Sequence, residues 1–112
     1  MIARGWKWML GAAAAYNLAV GLPALLLGAA VPDRVIGLFV ACFGIVYALV
    51  ARAPHRLAPV LWAGVLGKIG VVALIAPEVL AGRALPGTGT ILTGDALFTL
   101  GFLVFLLGPA RR

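Results

Sequence analysis

The chain has 112 residues, 64% of them hydrophobic and only 11% charged, with a mean hydropathy of +1.16. A soluble domain carries about 25% charged residues, so this composition excludes an ordinary water-soluble enzyme and fits a chain whose mass lies almost wholly in a bilayer. The net charge of +6 does not point to nucleic acid, because the basic residues stand at the ends of apolar spans and leave no basic, aromatic-interleaved surface over.

The N-terminus, MIARGWKWM, puts Arg4 and Lys7 beside Trp6 and Trp8, a combination that belongs at a headgroup interface. Span one is expected over about residues 7–28. Its apolar region exceeds the 7–15 residues of a signal-peptide core, so it reads as a retained helix, with a kink near Ala19 caused by Pro23. After a turn at Val31-Pro32-Asp33-Arg34, span two covers about residues 35–51. Cys42 lies inside it between Ala41 and Phe43 and reads as a packing residue, because no cation is beside it to activate a thiolate.

The stretch ARAPHRLAP is expected as a polar loop with a solvated His55, and Pro59 as the first residue of span three. That span, about residues 59–76, is expected to end at Pro77 and Glu78. GRALPGTGT, residues 82–90, is the longest irregular stretch. Span four runs over about residues 91–107 and stops at Gly108-Pro109. Each span is near the 17–25 residues that a bilayer core requires. Four such helices joined by short connections predict an all-α, integral membrane, up-down-up-down four-helix bundle, with residues 1–112 forming a single transmembrane domain. Arg4, Lys7, Arg52, Arg56, Arg111 and Arg112 fall on one side, against Arg34 and Arg83 on the other, which predicts that both termini are cytoplasmic.

Glycine recurs at seven-residue intervals, at Gly21 and Gly28, at Gly37 and Gly44, and at Gly94, Gly101 and Gly108. Span three has Gly64, Gly67 and Gly70 three apart. Small residues let membrane helices approach closely, so Gly21, Gly28, Gly37, Gly44, Gly64, Gly67, Gly94 and Gly101 are expected to carry helix packing.

Polar residues inside the spans are the candidate site. A lysine at the depth of Lys68 costs roughly 2.5–3.5 kcal/mol on insertion scales, so it should face protein or water. Counting rise along each helix places Lys68 roughly 12 Å from one boundary, Asn17 roughly 15 Å from the same one, and Asp95 and Thr99 roughly 6 and 12 Å from the other. Asn17, Lys68, Thr99 and Asp95 then form a polar ladder, with Tyr16 beside Asn17. This ladder reads either as an interhelical tie that sets register, or as a proton or ion path or a site for a polar headgroup. Lys68 and Asp95 are expected roughly 12 Å apart along the membrane normal and leaning away from each other. Direct contact is therefore not expected, and Lys68 is expected to be held by Asn17, by carbonyls freed near Pro23, or by water. No nucleophile with a base, carboxylate pair or metal cluster is present in the pattern, so neither an enzyme, a metal nor a cofactor is expected.

At Tyr16-Asn17-Leu18, Ala51-Arg52-Ala53-Pro54, Leu66-Gly67-Lys68 and Gly94-Asp95-Ala96-Leu97-Phe98 the chain resembles a group of small bacterial four-helix membrane proteins of uncharacterised activity. In size and span pattern it resembles the DoxX-like class. The resemblance implies a four-helix bundle in the bacterial inner membrane and no particular activity. Span one lacks the embedded glutamate of the small multidrug exporters, and the chain lacks the phenylalanine-box and glycine-asparagine patterns of the small fluoride channels.

The expected function is that of a non-catalytic membrane protein acting by helix–helix association, with itself or as an accessory subunit of a membrane complex. The expected partners are the lipid bilayer and other membrane subunits. The alternative is a small oligomeric transporter or channel with Lys68 and Asp95 along the path. A weaker third reading is a lipid or quinone pocket between spans one and three.

Overall fold

A computed structural model describes residues 3–111. All regular structure among them is helical: α1 (Arg4–Leu27), α2 (Val31–Arg52), a one-turn α3 (Pro54–Leu57) leading into a 3₁₀ turn (Ala58–Val60), α4 (Leu61–Leu80), α5 (Thr88–Leu107) and a closing 3₁₀ turn (Pro109–Arg111). Arg112, counted above among the basic residues at one end, lies outside the described residues, as do Met1 and Ile2 of the N-terminal stretch. Four helices are long and apolar enough to cross a membrane, and no more than 33% of any of their apolar windows is buried. Leu27, Leu66, Leu74 and Leu80 are among many large apolar side chains left mostly exposed. So much outward apolar surface is what a lipid-facing helix carries and a water-facing one does not.

The chain divides into two compact units, Met1–Val60 and Leu61–Arg112. In the first, α1 and α2 form an antiparallel hairpin through residues 28–30. Glycine makes its close crossing possible. A Cβ on Gly21 would sit 2.5 Å from the Ala41 nitrogen, and one on Gly37 would sit 2.5 Å from the Leu25 nitrogen. Both clashes are with backbone, which cannot swing aside. Further along, Gly44 leaves room for Asn17, whose Cβ lies 3.1 Å from where a Gly44 Cβ would stand. Gly28 does something else: it ends α1, where a Cβ would collide with the Ala24 carbonyl. Arg34 then turns back and donates from Nε to the Leu25 carbonyl at 2.8 Å. That contact satisfies one of the orphan acceptors at the α1 C-terminus and places a cation at the negative end of its dipole.

The second unit is the α4–α5 hairpin. Contrary to expectation, α4 does not stop at Pro77 but runs through it to Leu80. A helix that loses one amide donor to proline keeps its other bonds, and apolar surroundings reward that continuity. The helix ends instead in a Schellman motif. Gly82, in the left-handed region at φ 74°, donates its amide to the Val79 carbonyl at 3.1 Å, and the Arg83 amide reaches the Glu78 carbonyl at 2.9 Å. The position usually closed by an apolar contact is closed here by charge: Arg83 grips Glu78 through Nε at 2.7 Å and Nη2 at 3.3 Å. The helix α5 begins at Thr88, three residues before the expected Ile91, preceded by Gly87 at φ 89°.

Other boundaries shift less. The stretch expected as a polar loop is the short α3 and its 3₁₀ turn, and α4 starts two residues after Pro59. Within that stretch His55 is exposed, while Pro54 and Ala58 are buried. Cys42 was expected to pack, but it is exposed on α2. It neighbours the buried Ala41 in sequence, yet a step of one residue on a helix turns the side chain about 100° away.

Replacing Gly37 by valine should destabilise the protein by about 1–3 kcal/mol or more, because the α1–α2 backbones must separate. Unfolding by SDS titration in mixed micelles reads this out. A Gly37→Val variant as stable as the parent would mean that the hairpin does not cross at this point.

Candidate functional site

The polar centre of the second unit grows from two helical stripes. On α4 the buried residues are Leu61, Gly64, Val65 and Lys68, spaced at i, i+3, i+4 and i+7 along one face. On α5 the buried Leu92, Asp95, Thr99, Phe102 and Leu106 follow alternating steps of three and four, a heptad seam. Each stripe brings one charged residue inward.

The two charges meet. Lys68 Nζ donates to Asp95 Oδ1 at 2.7 Å, with side chains only 7% and 13% exposed. This corrects the expectation that they stay apart. The helices extend about a turn beyond their expected ends, α4 to Leu80 and α5 back to Thr88, so depths counted from opposite boundaries do not hold. A better anchor is the level at which Val79 faces Gly89, where a Cβ would lie 3.5 Å from Val79 Cγ1. From Val79 down to Lys68 is eleven residues, and from Gly89 down to Asp95 is six. The offset is then about five residues, roughly 7.5 Å. An extended lysine covers most of that distance, even though its Cα–Cβ bond leans the other way.

Two neighbours complete the site. The ammonium of Lys68 lies over the Phe98 ring, 6.0 Å from its centroid, at the edge of cation–π range. The Thr99 hydroxyl donates to the Asp95 main-chain carbonyl at 2.7 Å. Thr99 thus closes a backbone bond one turn up its own helix; it is Lys68 that holds the carboxylate. Phe98 was not picked out from the sequence, although its place three residues after Asp95 puts it on the same face.

Asn17 and Tyr16 belong to the first unit. The Asn17 amide donates through Nδ2 to the Val40 carbonyl at 3.0 Å and ties α1 to α2, while Tyr16 is half-buried beside it. Within the second hairpin the expected ladder residues form a Lys68–Asp95 pair with Thr99 beside it, and within the first Asn17 makes an amide-to-backbone tie. Among the described residues, no side chain is a buried polar group lacking a partner, and no group of three or more His, Cys, Asp or Glu side chains is disposed to hold a metal ion.

Of the expected packing glycines, Gly21, Gly37 and Gly44 lie at the α1–α2 crossing. Gly64 is buried, and Gly94 and Gly101 are half-buried. At Gly67 a Cβ would meet nothing of this chain within 4 Å, and the same holds for Gly70. Gly67 sits a third of a turn from the buried stripe and faces outward.

The energetics decide what the ion pair is for. Each charge alone costs roughly 2.5–3.5 kcal/mol at the middle of a span. At 2.7 Å and an effective dielectric near 20, their attraction is roughly 6 kcal/mol, about the joint cost. The pair therefore adds little net stability and makes every register that separates the charges expensive.

No protein-family model matches the chain, and neither a curated protein nor a solved structure matches it.

In a double-mutant cycle, Lys68→Met and Asp95→Asn should each destabilise the protein by about 3–5 kcal/mol, because each strands a buried polar partner. The double variant should recover enough to give a coupling above about 1.5 kcal/mol, near the top of the range for membrane pairs. Additive losses would contradict the contact.

Proposed function

We propose that this chain is a non-catalytic, multi-pass membrane protein that works by helix–helix association, as a homo-oligomer or as an accessory subunit of a membrane complex. Its four apolar helices would cross up and down, with both chain ends on the cytoplasmic side of a bacterial inner membrane. The observation that carries the association is the outward glycine face of α4. Where glycine lies between helices in this chain, backbone fills the space: Gly21 and Gly37 leave no room for a methyl group. Gly67 and Gly70 leave the same kind of notch open, beside the exposed Ala63 and Leu66. Glycine in a helix interior costs roughly 0.5–1 kcal/mol relative to alanine, and a lipid chain gains nothing from the notch that a partner helix would not gain more fully by close packing. Substituting Gly67 and Gly70 fills space that is empty within the α4–α5 hairpin, so it can weaken association without disturbing that hairpin.

The buried ion pair favours a second reading, an oligomeric transporter or channel in which Lys68 and Asp95 line the path, because ionisable groups inside a membrane commonly mark such routes. This reading requires the 2.7 Å contact to open during each passage. Ion flux in liposomes that is unchanged in the Lys68→Met, Asp95→Asn double variant would remove both residues from any path.

A Gly67→Ile, Gly70→Ile variant should lose self-association, read by fluorescence transfer between labelled copies in liposomes, while its unfolding midpoint stays at or above that of the parent. Undiminished transfer would remove the α4 face from the proposed interface.

A further inference from the structure

We infer that the open end of the α1–α2 hairpin is a binding site for anionic phospholipid headgroups. The register of the hairpin brings the basic residues together. Ala14 and Gly44 lie at one level, and seven residues further along each helix lie Lys7 on α1 and Ala51, next to Arg52, on α2. Arg4 stands one turn beyond Lys7. Past Arg52 the Ala53 amide bonds back to the Leu49 and Val50 carbonyls, and α3 holds Arg56 and His55 exposed at the same end. Arg4, Lys7, Arg52 and Arg56 are all exposed. Asp33, the acid within residues 1–60, is at the opposite end of the hairpin, at the start of α2. The helix α1 enters with no acid in its first turn and no side-chain cap, so the positive end of its dipole adds to the same field. Trp8, largely exposed, supplies the ring that settles at headgroup depth.

The arginines at the hairpin turns differ. Arg34 donates to the Leu25 carbonyl and Arg83 grips Glu78. Their guanidinium groups are engaged by the protein itself, so the affinity for anionic lipid resides at the open end of the first hairpin and not at the turns. This inference rests on the membrane reading above and goes beyond it in naming a ligand class and the residues that bind it.

The test uses the full chain reconstituted in vesicles of equimolar phosphatidylcholine and phosphatidylglycerol, extracted gently, with the retained lipids counted by mass spectrometry. A cation near an anionic surface is worth roughly fivefold in partition. Phosphatidylglycerol should therefore be enriched at least fivefold over phosphatidylcholine. Arg52→Gln should cut that enrichment about fivefold, and added salt should lower it. Arg83→Gln, which removes the same charge elsewhere, should leave it unchanged. Equal retention of the two lipids by the parent overturns the inference, and so does an equal fall in Arg83→Gln, which would mean that only net charge matters. Insertion into pure phosphatidylcholine vesicles separates the two readings. A protein that inserts there but shows no preference refutes the lipid site alone, and one that fails to insert refutes the membrane reading and this inference with it.

Discussion

Every polar group that this chain takes out of water has to be satisfied within the chain. A buried donor or acceptor without a partner costs about 1–3 kcal/mol and a buried charge more, and in an apolar setting water is not there to help. The architecture follows from that constraint. Backbone groups are closed into helices. The α1 C-terminus is closed by Arg34 and the α4 C-terminus by the amides of Gly82 and Arg83. Asn17 spends its amide on the Val40 carbonyl, and Lys68 and Asp95 spend their charges on each other.

The two hairpins meet the constraint in different ways. In the first, glycine lets the backbones approach until Gly21 and Gly37 leave no space between α1 and α2, and dispersion between closely packed atoms does most of the work. The neutral amide contact of Asn17 with the Val40 carbonyl helps to mark the register. In the second, larger side chains take the place of glycine on the buried faces, Phe102 and Leu106 on α5 and Leu61 and Val65 on α4. Apolar seams of this kind are tolerant of sliding. A charge pair that nearly breaks even in energy supplies what they lack, since a shift of one turn would strand two ions. Pro77 is carried within α4, and the Glu78–Arg83 clamp lies where the chain turns back.

The same residue type does two opposite jobs here, and spacing alone does not tell them apart. Gly21, Gly37 and Gly44 are consumed by packing within the hairpin, whereas Gly67 and Gly70 look outward from α4. The difference lies in which face of the helix turns toward a neighbour. On α4 that face is chosen by Lys68, which has to point at Asp95; Gly67, about 100° around the helix, and Gly70, about 200° around it, fall off that face.

The number of long helices, their apolar character and their approximate extent were legible in the sequence, because composition and span length are properties of a local stretch and apolar runs of this length have few other solutions. The polar candidates Asn17, Lys68, Asp95 and Thr99 were legible for the same reason: a polar residue within such a run is conspicuous, and all four are buried. Which of them touch was not. The Lys68–Asp95 contact depends on where α5 starts and where α4 ends, and helix ends are set by cap geometry at Gly82 and Gly87 and by the Glu78–Arg83 clamp, a few residues whose effect is felt 10–20 Å away through the accumulated rise of the helix. An error of one turn at each end was enough to reverse the conclusion. The sequence by itself therefore determined what had to be buried and paired; the tertiary structure decided the pairing, because register is a relation between two helices and is written in neither one alone.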